Sequence, residues 1–262
     1  MAATRGAIIH HTRKRIQYPW EVCILATSTP SSLRRTTLRT LTNCGIPRSK
    51  ITVVVQGKEE EQTFKDQLSQ GSYGHLLVSR DVGVAGLINT VYSTFKAGTP
   101  LVICRDRIEG LFQLVDGKAQ PLKSLIPLFQ SMFPLCIHEK VGLWGISSSP
   151  KGVSLKDTVV KGVKRISGAM WGILNPGTVP EFSVTMNFTP EFQSIFQVSK
   201  VYGGVLRLNS VSAKWSPEKG SKQRDAELER LSAIYPEFAV LHGDSETGGL
   251  ELRILQDKDN GY

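Results

Sequence analysis

The run Ile51-Thr52-Val53-Val54-Val55 is the feature that most constrains this chain. It is β-branched and apolar with no alternation, the pattern of a strand covered on both faces, and such strands belong to parallel sheets flanked by helices. Its surroundings repeat the arrangement. Residues 21–26 form a short strand-like run that ends in the polar turn Thr27-Ser28-Thr29-Pro30-Ser31. Leu33, Leu38, Leu41 and Cys44 then fall near one helical face, which stops at Gly45 with Pro47 beyond it. Glu59, Glu60 and Glu61 open a second helix, where carboxylates suit the positive end of the dipole, and Gly71 closes it. Residues 76–79 give a third strand and residues 101–104 a fourth. Between them Leu87, Ile88, Val91, Tyr92 and Phe95 make a helical stripe closed by Gly98. The order βαβαβαβ demands a parallel sheet with right-handed crossovers.

Beyond this point the pattern is mixed. Residues 111–115 and the pair Asp116-Gly117 predict a hairpin, and residues 123–133 predict a helix. Trp144, Trp171 and Gly203-Gly204-Val205-Leu206-Arg207-Leu208 lie in strand-like runs separated by a helical stretch over 191–199. A charged helix over 223–234 precedes a final strand over 250–255, and the polar residues 216–223, with Pro217 and Gly220, read as a linker-like insert. With 262 residues and 40% hydrophobic content the chain can bury one substantial core. The expectation is a disordered basic tail over 1–18 and one α/β domain over 19–262, Rossmann-like, with a mostly parallel sheet and a mixed C-terminal half.

A net charge of +9 favours an anionic partner, whether nucleotide phosphates, nucleic acid or an acidic protein. The arm Arg13-Lys14-Arg15, with Arg5 and His10-His11, is either a solvated tail or a weak nuclear-import or phosphate-contacting segment. Residues 125–137 are the longest apolar run; Pro127, Gln130 and Pro134 interrupt it and it is too short for a bilayer, so neither membrane insertion nor secretion is expected. Cys23, Cys44, Cys104 and Cys136 are widely spaced among apolar neighbours, which fits buried free thiols in a reducing compartment better than disulfides or zinc. The sequon Asn187-Phe188-Thr189 is followed by Pro190 and reads as chance.

Open α/β sheets bind ligands at the carboxyl ends of their strands, which singles out the loops after Ala26, Ser79 and Cys104. In the first, Thr27 and Ser28 are placed to contact a nucleotide base or ribose, although capping of the next helix explains Ser31 and Ser32 equally well. The second carries Gly83 and Gly86, a spacing that is neither a dinucleotide fingerprint nor a P-loop. The third, Cys104-Arg105-Asp106-Arg107-Ile108-Glu109, has only Asp106 in its core, where a metal bridging a diphosphate would want carboxylates set close together. Arg105 and Arg107 repel a metal but can pair with phosphate oxygens; otherwise they face solvent or Glu109. No metal site is expected. Gly145-Ile146-Ser147-Ser148-Ser149 lacks the closing glycine of a nucleophile elbow, and His75, His138 and His242 have no ligand or triad spacing. Trp144 and Trp171 anchor a core or stack on a sugar or base.

In order and spacing these landmarks resemble the glycosyltransferase family associated with TET/J-binding-type DNA base oxygenases. The matching segments are residues 18–56, residues 83–89, Arg105-Asp106-Arg107-Ile108, the two Trp-Gly segments and residues 203–209. The resemblance implies a GT-A-like fold and a UDP-sugar donor, with Thr27, Ser28, Gly83, Asn89, Arg105 and Arg107 at the donor and Asp106 and Glu191 as catalytic groups. The chain departs from the family pattern at several of these positions. Of an Asp-rich run only Asp106 stands, and Thr27, Ser28 and Thr29 replace a proline, an aromatic and a basic residue. Ile88 replaces an arginine before Asn89, and Glu191 alone answers to an acidic pair. Two functions follow. One is a degenerate transferase fold acting as a binding module in a nuclear transcription cofactor, with nuclear-receptor, chromatin or nucleic-acid partners and nuclear, otherwise cytoplasmic, residence. The other is a metal-independent UDP-sugar transferase acting on a protein or nucleic acid.

Overall fold

The computed structural model of the chain describes residues 19–149, 154–216, 222–243 and 250–255. The basic arm, His10-His11 and most of the insert at 216–223 lie outside these residues. The first half follows the order expected: β1 (Glu21–Leu25), α1 (Pro30–Leu33), a π-helical segment (Arg34–Leu38), α2 (Arg39–Asn43), β2 (Ile51–Gln56), α3 (Gly57–Gln67), β3 (His75–Ser79), α4 (Gly83–Thr94) and β4 (Pro100–Arg105). Then come β5 (Ile108–Val115), β6 (Lys118–Pro121), α5 (Ile126–His138), β7 (Leu143–Ser147), β8 (Val159–Gly162), β9 (Met170–Leu174), α6 (Pro190–Tyr202), β10 (Val205–Trp215), α7 (Lys222–Ile234), β11 (Ala239–Gly243) and β12 (Leu250–Ile254). Strands β8 and β11 carry no clear alternation and escaped the sequence reading.

The main sheet runs β3-β2-β1-β4-β9-β7-β10-β5-β6, with β8 on β10, and β11 pairs with β12 apart from it. Strands β3, β2, β1 and β4 are parallel, and β9 runs against both β4 and β7. Burial explains the missing alternation. Val22 and Ile24 of β1 join a core layer with Leu33, Leu41, Phe64, Phe129 and Phe133, while Cys23 and Leu25 join the opposite layer with Leu87, Ile88, Phe196 and Leu228. Helices α1, α2, α3 and α5 therefore cover one face and α4, α6 and α7 the other. The crossover switches faces between β1 and β4, and in an open α/β sheet that switch point is where a ligand crevice forms.

Three local details follow from residue chemistry. The β5–β6 hairpin turns through Asp116 (φ 49°) and Gly117 (φ 74°), both left-handed, as a two-residue primed turn requires. Helix α5 starts at Ile126 rather than at 123, with Pro127 in its first turn, where a missing N–H costs nothing. It then runs on through Pro134 to His138. All four cysteines are buried and free, and burial pushes the Cys136 thiol up to about 12 and the other three up as well. No helix among the described residues is long and apolar enough to cross a membrane.

The two Trp-Gly segments pair with each other. In the β7–β9 register Trp144 lies opposite Gly172 and Gly145 opposite Trp171, so each indole sits across from the other strand's glycine. Both rings are fully buried, on opposite faces of the sheet. Trp144 packs against Phe129 and Phe133 with ring centroids at 6.0 and 5.7 Å. Neither indole N–H has an acceptor among the described residues. These tryptophans are core anchors held by shape and do not face a ligand.

Candidate functional site

The parallel order β3-β2-β1-β4 places the loops after β1, β3 and β4 at one end of the sheet. At the switch point the first and third loops are tied together. The backbone N–H of Thr27 donates to Asp106 Oδ2 at 3.0 Å, and its hydroxyl lies 3.1 and 3.2 Å from the two carboxylate oxygens. Asp106 is buried, and its carbonyl accepts the Trp215 indole N–H at 2.9 Å. Thr37 donates to the Arg105 carbonyl at 3.1 Å and accepts from the Ile108 N–H at 2.9 Å, which fixes the turn from below. Thr29, rather than Ser31 or Ser32, caps α1 through a 3.3 Å bond from the Ser32 N–H.

The second loop is closed in a different way. Gly83 is left-handed (φ 79°), and its N–H donates to Gln56 Oε1 at 3.0 Å. The Ala85 N–H donates to Asn187 Oδ1 at 3.0 Å. These are donors at the head of α4 that a phosphate would otherwise use. A Cβ on Gly83 would overlap the Asn187 amide, and one on Gly86 would lie 2.6 Å from Asp81 Cβ, so both glycines admit neighbouring protein. Asn89 holds the same segment from the other side: its amide donates to the Val184 carbonyl at 2.8 Å and accepts the Val184 N–H at 2.9 Å. Asn187, read in the sequence as a chance sequon, is thus a helix cap; periodicity carries no signal for such a contact.

The arginines divide. Arg105 is 4% exposed, its guanidinium carbon lies 5.8 Å from the Trp215 ring centroid, and its Nε and Nη1 donors have no acceptor among the described residues. Arg107 is left-handed (φ 65°) and partly exposed. Ser28 Oγ is enclosed and also lacks a partner among the described residues. Glu191, in the first turn of α6, fits because residue 168 is glycine, where a Cβ would approach its carboxylate to 2.9 Å. Its Oε2 is enclosed and has no hydrogen-bond partner among the described residues. Burial raises its pKa above the usual carboxylate value, and the nearby Arg105, Arg165 and Arg224 offset that only in part. The fold therefore brings Thr27 to Asp106 and Arg105 to Glu191, while Gly83 and Asn89 are engaged with the 184–187 segment. Among the described residues no three His, Cys, Asp or Glu side chains cluster as a metal would need.

The raised pKa of Glu191 has a testable sign. Folded Glu191 holds its proton more tightly than unfolded Glu191, so its contribution is favourable at low pH and is lost as pH rises from about 4.5 through the raised value. Glu191→Gln is expected to flatten this slope: its urea midpoint should change less than the wild type's between about pH 5 and about pH 8. Parallel curves for the two proteins would contradict the assignment.

The sheet order, the switch point between β1 and β4 and the antiparallel β9 agree with the GT-A-like, mostly parallel fold expected from the sequence. No protein-family model and no curated protein sequence matches the chain. Among solved structures, residues 1–349 of S. aureus TarS superpose with a TM-score of 0.50 at 8% identity, covering 82% of this chain and 64% of that one. M. tuberculosis glucosyl-3-phosphoglycerate synthase gives a TM-score of 0.48 at 10% identity over 86% of this chain and 85% of that one. The same enzyme in complex with Mn2+, UDP and phosphoglyceric acid gives 0.47 at 11% over 91% and 87%. At these identities the likeness is one of fold.

Proposed function

We propose that this chain is a GT-A-fold binding module in which the donor rim has become a structural clamp. The observation that carries this reading is the bridge from Thr27 to Asp106, which crosses the switch-point crevice and occupies the only carboxylate of the β4 loop. Engagement of the α4 head by Gln56 and Asn187 supports it. A cavity of about 400 Å³ lies at the opposite end of the sheet beside Gly98, Gly142 and Asn175. We read the site as metal-independent, since the β4 loop offers one carboxylate, already bonded to Thr27 and flanked in sequence by Arg105 and Arg107. In motif order the chain resembles the TET/J-binding-associated glycosyltransferases, and among them the C-terminal domain of the vertebrate "growth regulation by estrogen in breast cancer" protein or its paralogue. On that resemblance we place the module in a nuclear transcription cofactor.

One observation favours a second reading, metal-independent binding of a UDP-sugar. Two donors of buried Arg105 have no acceptor among the described residues, and buried donors of that kind are ordinarily satisfied. An arginine set against a diphosphate would stabilise the charge that develops on the leaving group. Calorimetric titration with UDP, with and without Mn2+ and then chelator, separates the two. The module reading expects no binding up to about 1 mM, a bound of roughly −4 kcal/mol. Binding that survives chelation and is lost in Arg105→Ala would overturn it, as would UDP-sugar hydrolysis abolished by Asp106→Ala.

A further inference from the structure

We infer that the groove between the α1–α2 helix and the turn before β2 is a docking site for the sugar-phosphate backbone of a nucleic acid. Three arginines line it, Arg34, Arg39 and Arg48, and Thr42, Asn43 and Ser72 add neutral groups that can bond phosphate oxygens. The groove encloses about 150 Å³ and has no acidic residue in its lining. All three arginines are exposed, and none of their side chains makes a hydrogen bond or ion pair with the described residues.

The π-helical segment builds this face. A π turn closes between residues five apart instead of four, and such turns recur at functional sites. Arg34 opens the segment and Arg39 follows it, so the two are brought toward one side of the helix, whereas a regular α-helix would set them well apart. Arg48 reaches the same groove from the short helical turn at Arg48–Lys50. Gathering three cations without a counter-charge costs self-repulsion, which an anionic partner relieves.

A nucleic-acid backbone suits this groove better than a phosphopeptide. The excess of +9 belongs to the whole chain and so favours a long polyanion. The lining includes no aromatic side chain on which a base could stack, so contact is with phosphates and independent of sequence. The inference rests on the binding-module reading and names its partner class, but its test is separate, because UDP titration probes the loops after β1 and β4 and none of their residues lines the groove.

The experiment is fluorescence anisotropy with labelled duplex DNA and single-stranded RNA between about 50 and about 200 mM salt. The triple variant R34A/R39A/R48A is expected to bind at least roughly tenfold more weakly, with a salt slope lower by about 2 to 3. These side chains are exposed, so its urea midpoint should match the wild type's. A charge-matched control, K118A/K123A/K200A, should keep the wild-type slope. Equal losses in the control would assign the effect to net charge and overturn the site. So would unchanged binding by the triple variant, or a phosphorylated peptide binding the groove more tightly than either nucleic acid.

Discussion

Gly172→Ala should lose more than ~3 kcal/mol of stability, above the usual cost of overpacking a core. A Cβ at this position would overlap Nε1 of the Trp144 indole, with Cζ2 only 2.6 Å away. Neither partner has room to yield. Trp144 is fully buried against Phe129 and Phe133, and β7 and β9 lie between β10 and β4 in the middle of the sheet. Since a domain's net stability is only about 5–15 kcal/mol, the variant should unfold at much lower urea or fail to accumulate. Trp144→Leu in the same background should recover part of the loss, because it removes the overlapping atoms. A Gly172→Ala protein within about 1 kcal/mol of wild type would show that the indole–glycine interlock does not constrain this core.

The second large effect is expected at Glu227 of α7. Its carboxylate accepts the N–H groups of Asn187, Phe188 and Thr189 at 2.6, 2.9 and 3.0 Å, and the Thr189 hydroxyl at 3.0 Å. One side chain thereby satisfies the turn that opens α6 and positions Asn187 at the head of α4. Glu227→Ala leaves three backbone donors unpaired and should cost about 3 kcal/mol or more, since bonds to a charged acceptor are the stronger ones. Glu227→Gln should cost nearly as much, because its NH2 would face donors where an oxygen now accepts. Urea unfolding of both variants measures this. A Gln variant close to wild type would reduce Glu227 to a packing residue.

Legibility in the sequence followed the range of the interactions. The hairpin turn was readable at Asp116-Gly117, where local dihedral preferences suffice, whereas the start of α5 was read at 123 instead of Ile126. Strand β8 was not readable, because Val159–Gly162 gains its partner only from β10, far along the chain. The candidate site divides in the same way. The lone carboxylate between Arg105 and Arg107 is visible in the sequence, but that Thr27 engages it is not. Nor does periodicity show that Asn187 caps α4, that Glu227 holds Asn187, or that a π turn brings Arg34 and Arg39 to the groove of Arg48.

The sequence by itself determined the parallel half of the sheet and its two-sided burial. The non-alternating run at 51–55 and the helical stripes around it leave few other ways to remove apolar surface from water. Only the tertiary structure decided whether the switch-point loops stand apart or join, and which tryptophan meets which glycine. The apolar pattern acts within a few residues, while a hydrogen bond between Thr27 and Asp106 exists only after β1 and β4 have paired.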